Sequence, residues 1–407
     1  MKLYYGWAVV IAAFLSNGMG IGSSQYAFGI FVDPLEAEFG WSRAQINASL
    51  SFAAFSSLIA PFVGRLMDKI GARPIMAISL SLLATSFILR PFMTEVWHWY
   101  ALSALQFAGF PGAAILPAGR LVGIWFKETR GRMMGLVTMG NNFGGMTITP
   151  LVSLIVGMAS WKEGYQAMGI VALLVAGISF GIVRETVRSK TVDNLQNGGG
   201  TSPRKGPLPS GTLELPGVSA DVAFHSRCFI GVALAVLLAN FTYSAVLTQI
   251  IPHLTNEGIS LAKASSLLTL MAAFGMAGKL IFGYVSERIS AKYTFVLSLG
   301  GQIIGLIAVI LAGTTRFLWI AIPMFGLPFG GIGALFPLLV QEMFGLKAFG
   351  TIFGMVNLVT VVSFLGGPLF VGFVVDQTGS YVPAFLIMSG IFFMGALVAL
   401  TLHPVEE

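Results

Sequence analysis

The sequence predicts an all-α membrane protein: twelve transmembrane helices in two pseudo-symmetric six-helix bundles, with both termini on the cytoplasmic side. Three observations predict it. Of 407 residues, 56% are hydrophobic and only 10% are charged, whereas a soluble domain carries about 25% charged residues. Twelve apolar stretches follow one another, each near the roughly 20 residues that a bilayer crossing requires. Finally, Gly64-Arg65-Leu66-Met67-Asp68-Lys69-Ile70-Gly71-Ala72-Arg73 has an echo 219 residues later, in Gly283-Tyr284-Val285-Ser286-Glu287-Arg288-Ile289-Ser290-Ala291-Lys292. The same shift carries Gly131 and Gly135 onto Gly350 and Gly354.

The spans of the first half fall near 7–31, 44–66, 74–94, 97–126, 132–158 and 164–183. The first is too long for a signal-peptide core of ~7–15 residues, so it reads as a membrane helix. Between the first two spans, Asp33 through Arg43 is amphipathic and fits the interface, with Trp41 as anchor and Ser42 as the cap of the second helix. Pro111 and Pro117 predict a kink in the fourth span. The fifth is glycine-rich and carries Asn141 and Asn142. After the sixth, the one long connection holds Gly198-Gly199-Gly200 and four prolines, the composition of a flexible tether. The expected organisation is therefore an N-terminal bundle (1–184), a cytoplasmic linker (185–226) and a C-terminal bundle (227–407).

The second-half spans lie near 228–251, 263–286, 293–313, 317–343, 349–374 and 381–402. Pro328 and Pro337 predict a kink in the tenth, matching the fourth. With the N-terminus inside, sixteen basic residues fall in cytoplasmic segments and five outside (Arg43, Arg90, Lys162, Lys263 and Arg316). The two cations left over, Arg120 and Lys279, fall well inside spans. The asymmetry sets the orientation. It also accounts for the +6 net charge without a nucleic-acid partner. The lone cysteine, Cys228, excludes an internal disulfide framework. No metal-ligand spacing, nucleophile elbow or phosphate loop is present, so neither an enzyme nor a bound metal or cofactor is expected. A multi-pass protein of the cell membrane, monomeric in its bilayer, is the expectation.

The doubled Gly-x-x-x-Asp/Glu-Arg/Lys segment resembles the cytoplasmic signature of the major facilitator superfamily. Finer features resemble the monocarboxylate transporter family and the bacterial oxalate–formate exchangers. They are Tyr5-Gly6-Trp7 at the first helix, Phe39-Gly40-Trp41-Ser42-Arg43, Trp125-Phe126 with Arg130-Gly131 and Gly135, Pro252-His253-Leu254, and Gly366-Gly367-Pro368. The resemblance covers nearly the whole chain except the linker. It implies the major facilitator fold, alternating access between the two bundles, and a small organic monocarboxylate anion as substrate, lactate-like acids first. A co-transported proton is the expected energy source. The alternative is obligate organic-anion exchange of the oxalate–formate type.

Lys279 is the leading substrate-binding candidate. A cation inside a span costs a few kcal/mol unless it faces water or an anion, and the 219-residue shift maps it onto Ala60, so the scaffold itself does not require it. In the resembling family this helix-8 position carries an arginine for the substrate carboxylate. The alternative is snorkelling to the cytoplasmic surface. Arg120, whose repeat counterpart is Leu339, is a second candidate with the same alternative. Gln25, Asn17, Asn141 and Asn142 are polar groups in apolar helices and must find a partner or a wet cavity; helix–helix hydrogen bonding is the competing reading. The family's proton-coupled members carry charged residues where this chain has Gln25 and Gly275, which leaves Lys279, His253 or the substrate acid itself as candidate proton carriers. The cytoplasmic gate is expected to comprise Asp68, Arg65, Lys69, Glu287, Arg288 and Arg130.

Overall fold

The computed structural model describes residues 5–185 and 215–406. Among them, eleven helices are long and apolar enough to cross a membrane. In chain order, the membrane helices of the first half are α1 (Gly6–Tyr26), α2 (Ala44–Ile70), α3 (Ala72–Phe92), α4 (Val96–Trp125), α5 (Arg130–Met158) and α6 (Trp161–Ile182). Those of the second half are α7 (Arg227–Asn256), α8 (Leu261–Ile289), α9 (Ala291–Ala312), α10 (Leu318–Phe344), α11 (Phe349–Thr378) and α12 (Tyr381–Leu400). The twelfth crossing is α5. Glycine, asparagine and threonine lower its hydropathy, yet its 29 residues at 1.5 Å each exceed a bilayer core.

Packing repeats from half to half. α3 lies on α4 and α6 as α9 lies on α10 and α12, and α1 lies on α5 as α7 lies on α11. The halves meet chiefly along α2–α11 and α5–α8, a pair of contacts that the 219-residue shift exchanges. Small residues set these distances, because without a hydrophobic drive between helices close backbone approach supplies the attraction.

Three membrane helices depart from regular α-helix. The end of α1, Gly22–Tyr26, is wound as a π-helix. α4 breaks at Ala114 (φ −103°, ψ −134°) between Val96–Ala113 and Ile115–Trp125. Pro117 then sits in the first turn of the second piece, where its missing N–H would have had no partner. α11 breaks at Leu358, just after Asn357. α10 runs as one helix through Pro323, Pro328 and Pro337.

Outside the membrane, Ser42 and Gln45 form a reciprocal capping box at the start of the second helix. The preceding helix, Val32–Phe39, is tied to α6 through Glu38. Its carboxylate accepts from Lys162 Nζ at 2.7 Å and Trp161 Nε1 at 2.5 Å. The Lys162 hydrogen bond first, then that of Trp161, holds the Glu38 carboxyl below the usual carboxylate range.

The described ends of the stretch assigned to the linker are packed. Residues 186–214 lie outside the described residues, but both flanks pack on the bundles. Val218 N donates to Phe344 O (3.0 Å) and Leu346 N to Pro216 O (2.7 Å), pairing Gly217 with Gly345 at the end of α10. The chain then forms the short helix Ala220–His225, capped by Ser219. The C-terminal segment grips the same place: Val405 N donates to Met343 O at 2.9 Å, and the buried Lys292 ammonium donates to Leu402 O at 2.7 Å.

Arg90, placed in an outer loop by the sequence, is buried at the end of α3. Its guanidinium donates to Tyr165 Oη and Gln106 Oε1, both at 2.6 Å, and lies 4.2 Å from the centroid of the Trp99 ring. Cation–π contact and hydrogen bonds replace a carboxylate partner there.

Candidate functional site

The cytoplasmic side is closed by a device used twice. Asp68, at the end of α2, accepts from Gly350 N (2.9 Å), Thr351 N (2.7 Å) and Thr351 Oγ1 (2.7 Å), the first free donors of α11. Glu287, at the end of α8, accepts from Arg132 N (2.7 Å) and Arg132 Nε (2.8 Å) in the first turn of α5. The 219-residue shift maps Asp68 onto Glu287 and Arg132 onto Thr351. Each carboxylate thus sits on the positive end of a helix in the opposite half. The repeated glycines allow the approach. The backbone of Gly64 lies against the Gly350 carbonyl, and that of Gly131 against the Gly283 carbonyl, with no room for a Cβ at either.

One element of this closure is not duplicated. Arg120 in α4 donates from Nη1 to Asp68 Oδ1 at 2.8 Å and from Nε to Glu185 Oε1 at 3.3 Å. Glu185 also accepts from the backbone N of Ala72, the first residue of α3. At the corresponding Ala291 N of α9 the acceptor is instead Glu342, at 2.5 Å. Gln341 Nε2 reaches across to Gly119 O (2.8 Å), and Leu346 packs on Gly123.

Above this floor lies a cavity of about 640 Å³ between the halves. Its lining draws on the interrupted parts of α1, α4 and α11, as expected where irregular backbone is tolerated only around a wet space. It contains one cation, Lys279, and no carboxylate among the described residues. The Lys279 ammonium turns inward to α5, donating to Thr138 O (2.9 Å) and Asn142 Oδ1 (2.5 Å). An ammonium has three donors, so one remains for a guest. Across the cavity, Ser57, Asn357 and Thr360 make a polar cluster between α2 and α11 (Ser57 Oγ to Thr360 Oγ1, 3.2 Å). The remaining wall is mostly apolar and includes Tyr243 stacked on Phe329 at 3.9 Å.

The structure brings four expected site residues together around this space: Lys279, Gln25, Asn141 and Asn142. Gln25 owes its place to the π-helical turn of α1. Three others are elsewhere. Arg120 does not line the cavity, contrary to the expectation that it reaches substrate; Asp68 and Glu185 hold its guanidinium in a cytoplasmic ion triad. Asn17 is fully buried against its own helix, donating to Ala13 O at 3.0 Å. His253 is buried between the rings of Tyr381 and Phe385, at 5.8 and 5.0 Å, and does not line the cavity. Of the expected gate residues, Asp68 and Glu287 bridge the halves. Arg65 and Lys69 are exposed, Arg288 donates to Tyr284 Oη (2.8 Å), and Arg130 is half-buried at the start of α5. The latch residues that sequence reasoning missed are Arg132, Thr351 and Glu185. The first two are one residue past the repeated glycines and are equivalent under the shift; Glu185 carried no such signal.

The Major Facilitator Superfamily model matches residues 7–366 and 232–407. The chain belongs to the major facilitator superfamily. It is 25% identical over 411 residues to human monocarboxylate transporter 11, covering 97% of this chain and 82% of that one. Human monocarboxylate transporter 2 is 24% identical over 393 residues, covering 93% and 81%. A Bacillus subtilis (strain 168) protein described as the uncharacterized MFS-type transporter YcxA is 22% identical over 291 residues, covering 70% and 66%. Among solved structures, the proton:xylose symporter XylE bound to 6-bromo-6-deoxy-D-glucose has a TM-score of 0.72 at 15% identity, covering 98% and 96%. FucP in its outward conformation scores 0.71 at 16% identity, covering 98% and 99%. These two likenesses show the fold. This superfamily member is a multi-pass membrane transporter.

Proposed function

We propose that this transporter is a secondary active carrier of small organic monocarboxylate anions in the cell membrane, working as a monomer by alternating access and without catalysis. The observation that carries the reading is Lys279: a lone cation in a cavity without acids, with one ammonium donor unused. A single strong cation matches a single carboxylate, and the neutral amides of Gln25, Asn141 and Asn142 can donate to its oxygens without adding charge. The relatives named monocarboxylate transporters support the same substrate class. The latch through Asp68 and Glu287 would release as the halves rock, opening the cytoplasmic side.

Energy would come from a co-transported proton travelling on Lys279 or on the substrate acid. Burial of His253 between aromatic rings, away from the cavity, removes the motive for including it. The missing cavity carboxylate also favours a second reading, obligate exchange of organic anions. Proteoliposome uptake tests both. A labelled lactate-like acid should accumulate in a Lys279-dependent way. A pH gradient alone should drive it into empty vesicles if a proton is coupled, whereas exchange requires an internal anion. Undiminished uptake by Lys279→Ala would overturn the proposal.

A further inference from the structure

The cavity that holds Lys279 is also lined by aromatic side chains, and their placement bears on which monocarboxylate fits. The Lys279 stem passes beside Gly333 of α10, where a Cβ would lie 3.8 Å from its Cε. Phe329 is four residues earlier on that helix, hence on the same face and about 6 Å farther outward. Its ring is stacked on Tyr243 of α7, centroids 3.9 Å apart and planes within 4°. Phe325 braces it from behind at 5.3 Å. The stack lines the cavity together with Phe110, Phe353 and Met271. Gly275 and Gly330, which touch backbone to backbone, line the same cavity and add no side chain of their own between the ammonium and the stack.

A carboxylate held at Lys279 therefore has the edge of this aromatic stack, with Phe329 only 6% exposed, about one helical turn farther out. The methyl of lactate stops short of that surface. A ring two or three bonds from the carboxylate would reach it, and aromatic groups favour such edge-to-face contact. An α-amino group would enter beside the Lys279 cation with no carboxylate in the lining to receive it, which disfavours a second positive charge.

We propose that the cavity selects aryl-alkanoates lacking an amino group, with the Tyr243–Phe329 stack reading the aryl body. This rests on the assignment of Lys279 to the substrate carboxylate. The test is a thermal-shift titration of the purified full chain with phenyllactate, lactate and phenylalanine, since a ligand of the folded form raises its apparent stability with occupancy. Phenyllactate should bind at least about tenfold tighter than lactate, in line with what apolar pocket contacts discriminate, and phenylalanine should bind far more weakly than phenyllactate. Phe329→Leu, which keeps an apolar side chain at the site, should collapse the phenyllactate-to-lactate ratio. Equal affinity for the two acids, phenylalanine binding like phenyllactate, or an unchanged ratio in Phe329→Leu each overturns the proposal. Lys279→Met separates the two levels. If it loses both acids while wild type binds them equally, only the aryl preference falls. If it retains both, or if wild type binds neither, the carboxylate assignment falls and the aryl preference with it.

Discussion

Arg120→Leu gives the N-terminal half the residue that its counterpart, Leu339, supplies in the C-terminal half, and so isolates what the unduplicated cation does. Arg120 and Asp68 have side chains only 8% and 12% exposed, and Glu185 is 23% exposed. Removing one partner of a buried pair costs ~3–5 kcal/mol because the other charge stays buried. Here the stranded carboxylates keep part of their solvation: Asp68 retains three donors from α11 and Glu185 retains Ala72 N. That lowers the expected cost to about 2–3 kcal/mol for the closed cytoplasmic side. Once the halves separate there, water reaches Asp68 and most of the penalty disappears. The equilibrium should therefore move roughly 30- to 150-fold toward the cytoplasm-open form, at ~1.4 kcal/mol per tenfold. Leu346 is the reporter, because it is buried against Gly123 in this closed form and separation of the halves there would expose it. With Cys228 replaced by serine and Leu346 by cysteine, maleimide labelling in inside-out vesicles should accelerate in Arg120→Leu, while substrate affinity measured on the outward-facing cavity stays within a few-fold of its reference. Unchanged labelling together with abolished binding would refute the gate role and return Arg120 to the substrate path.

Four further outcomes follow from the same geometry. Asn142→Asp places a carboxylate against the Lys279 ammonium, so anion binding should fall at least tenfold while the melting temperature holds or rises; titration and melting curves on one sample check both. Gly131→Ala drives a Cβ into the Gly283 carbonyl, so the closed cytoplasmic form should be depleted and Leu346Cys labelling should accelerate. Truncation after Leu402 deletes the Val405–Met343 hydrogen bond, with an expected loss of about 0.5–1.5 kcal/mol read as a lower melting temperature and faster labelling near the α10 end. Glu38 has a folded pKa below its ordinary 4.5, so its contact with Lys162 contributes fully above that value and is lost as pH falls through the lower folded one. Both partners are well exposed, so the difference in melting temperature between wild type and Glu38→Gln should be small near pH 7 and shrink below about pH 4.

What the sequence made legible were features that repeat or that carry a large cost. The 219-residue echo singled out the glycines and the two carboxylates that meet between the halves, though not their contacts, because a duplicated backbone geometry demands the same small residues and the same helix-capping acid twice. Lys279 was legible because an intramembrane charge without a repeat partner needs a reason. Arg120 had the same appearance and a different explanation. Its decisive partner, Glu185, lies at the edge of a stretch whose composition reads as tether, and the ion pair closes only in three dimensions. The basic neighbours in the signature segments, Arg65, Lys69 and Arg288, were adjacent in sequence to the latch acids, yet helical geometry turns them to the surface. The interruption of α4 at Ala114 was foreshadowed by Pro111 and Pro117, but three prolines left α10 continuous. Proline removes one hydrogen bond; whether the helix then breaks depends on what packs around it. Arg90 was misread because a charge near a span end usually faces water. Its aromatic box is assembled from α3, α4 and α6, which no local pattern reports.

Lys279 joins the two kinds of feature. Its backbone carbonyl lies against Gly135 of α5, and the shift that maps Gly135 onto Gly354 maps this contact onto the one between Gly354 and the Ala60 carbonyl of α2. The main chain at 279 is thus part of the duplicated closure, while its side chain is the unduplicated element of the cavity. The ammonium donates to Thr138 and Asn142 on the same α5 whose separation from α8 would open the cytoplasmic side. A carboxylate arriving at the free donor must share the ammonium with α5, and any step that draws Lys279 toward the guest weakens a bond holding the halves together. Occupancy and opening would then be linked through one residue, by differential contact in the two states. On this account Lys279→Met should uncouple them: the cytoplasmic side would open and close with a rate that substrate no longer changes, measurable as Leu346Cys labelling insensitive to added acid.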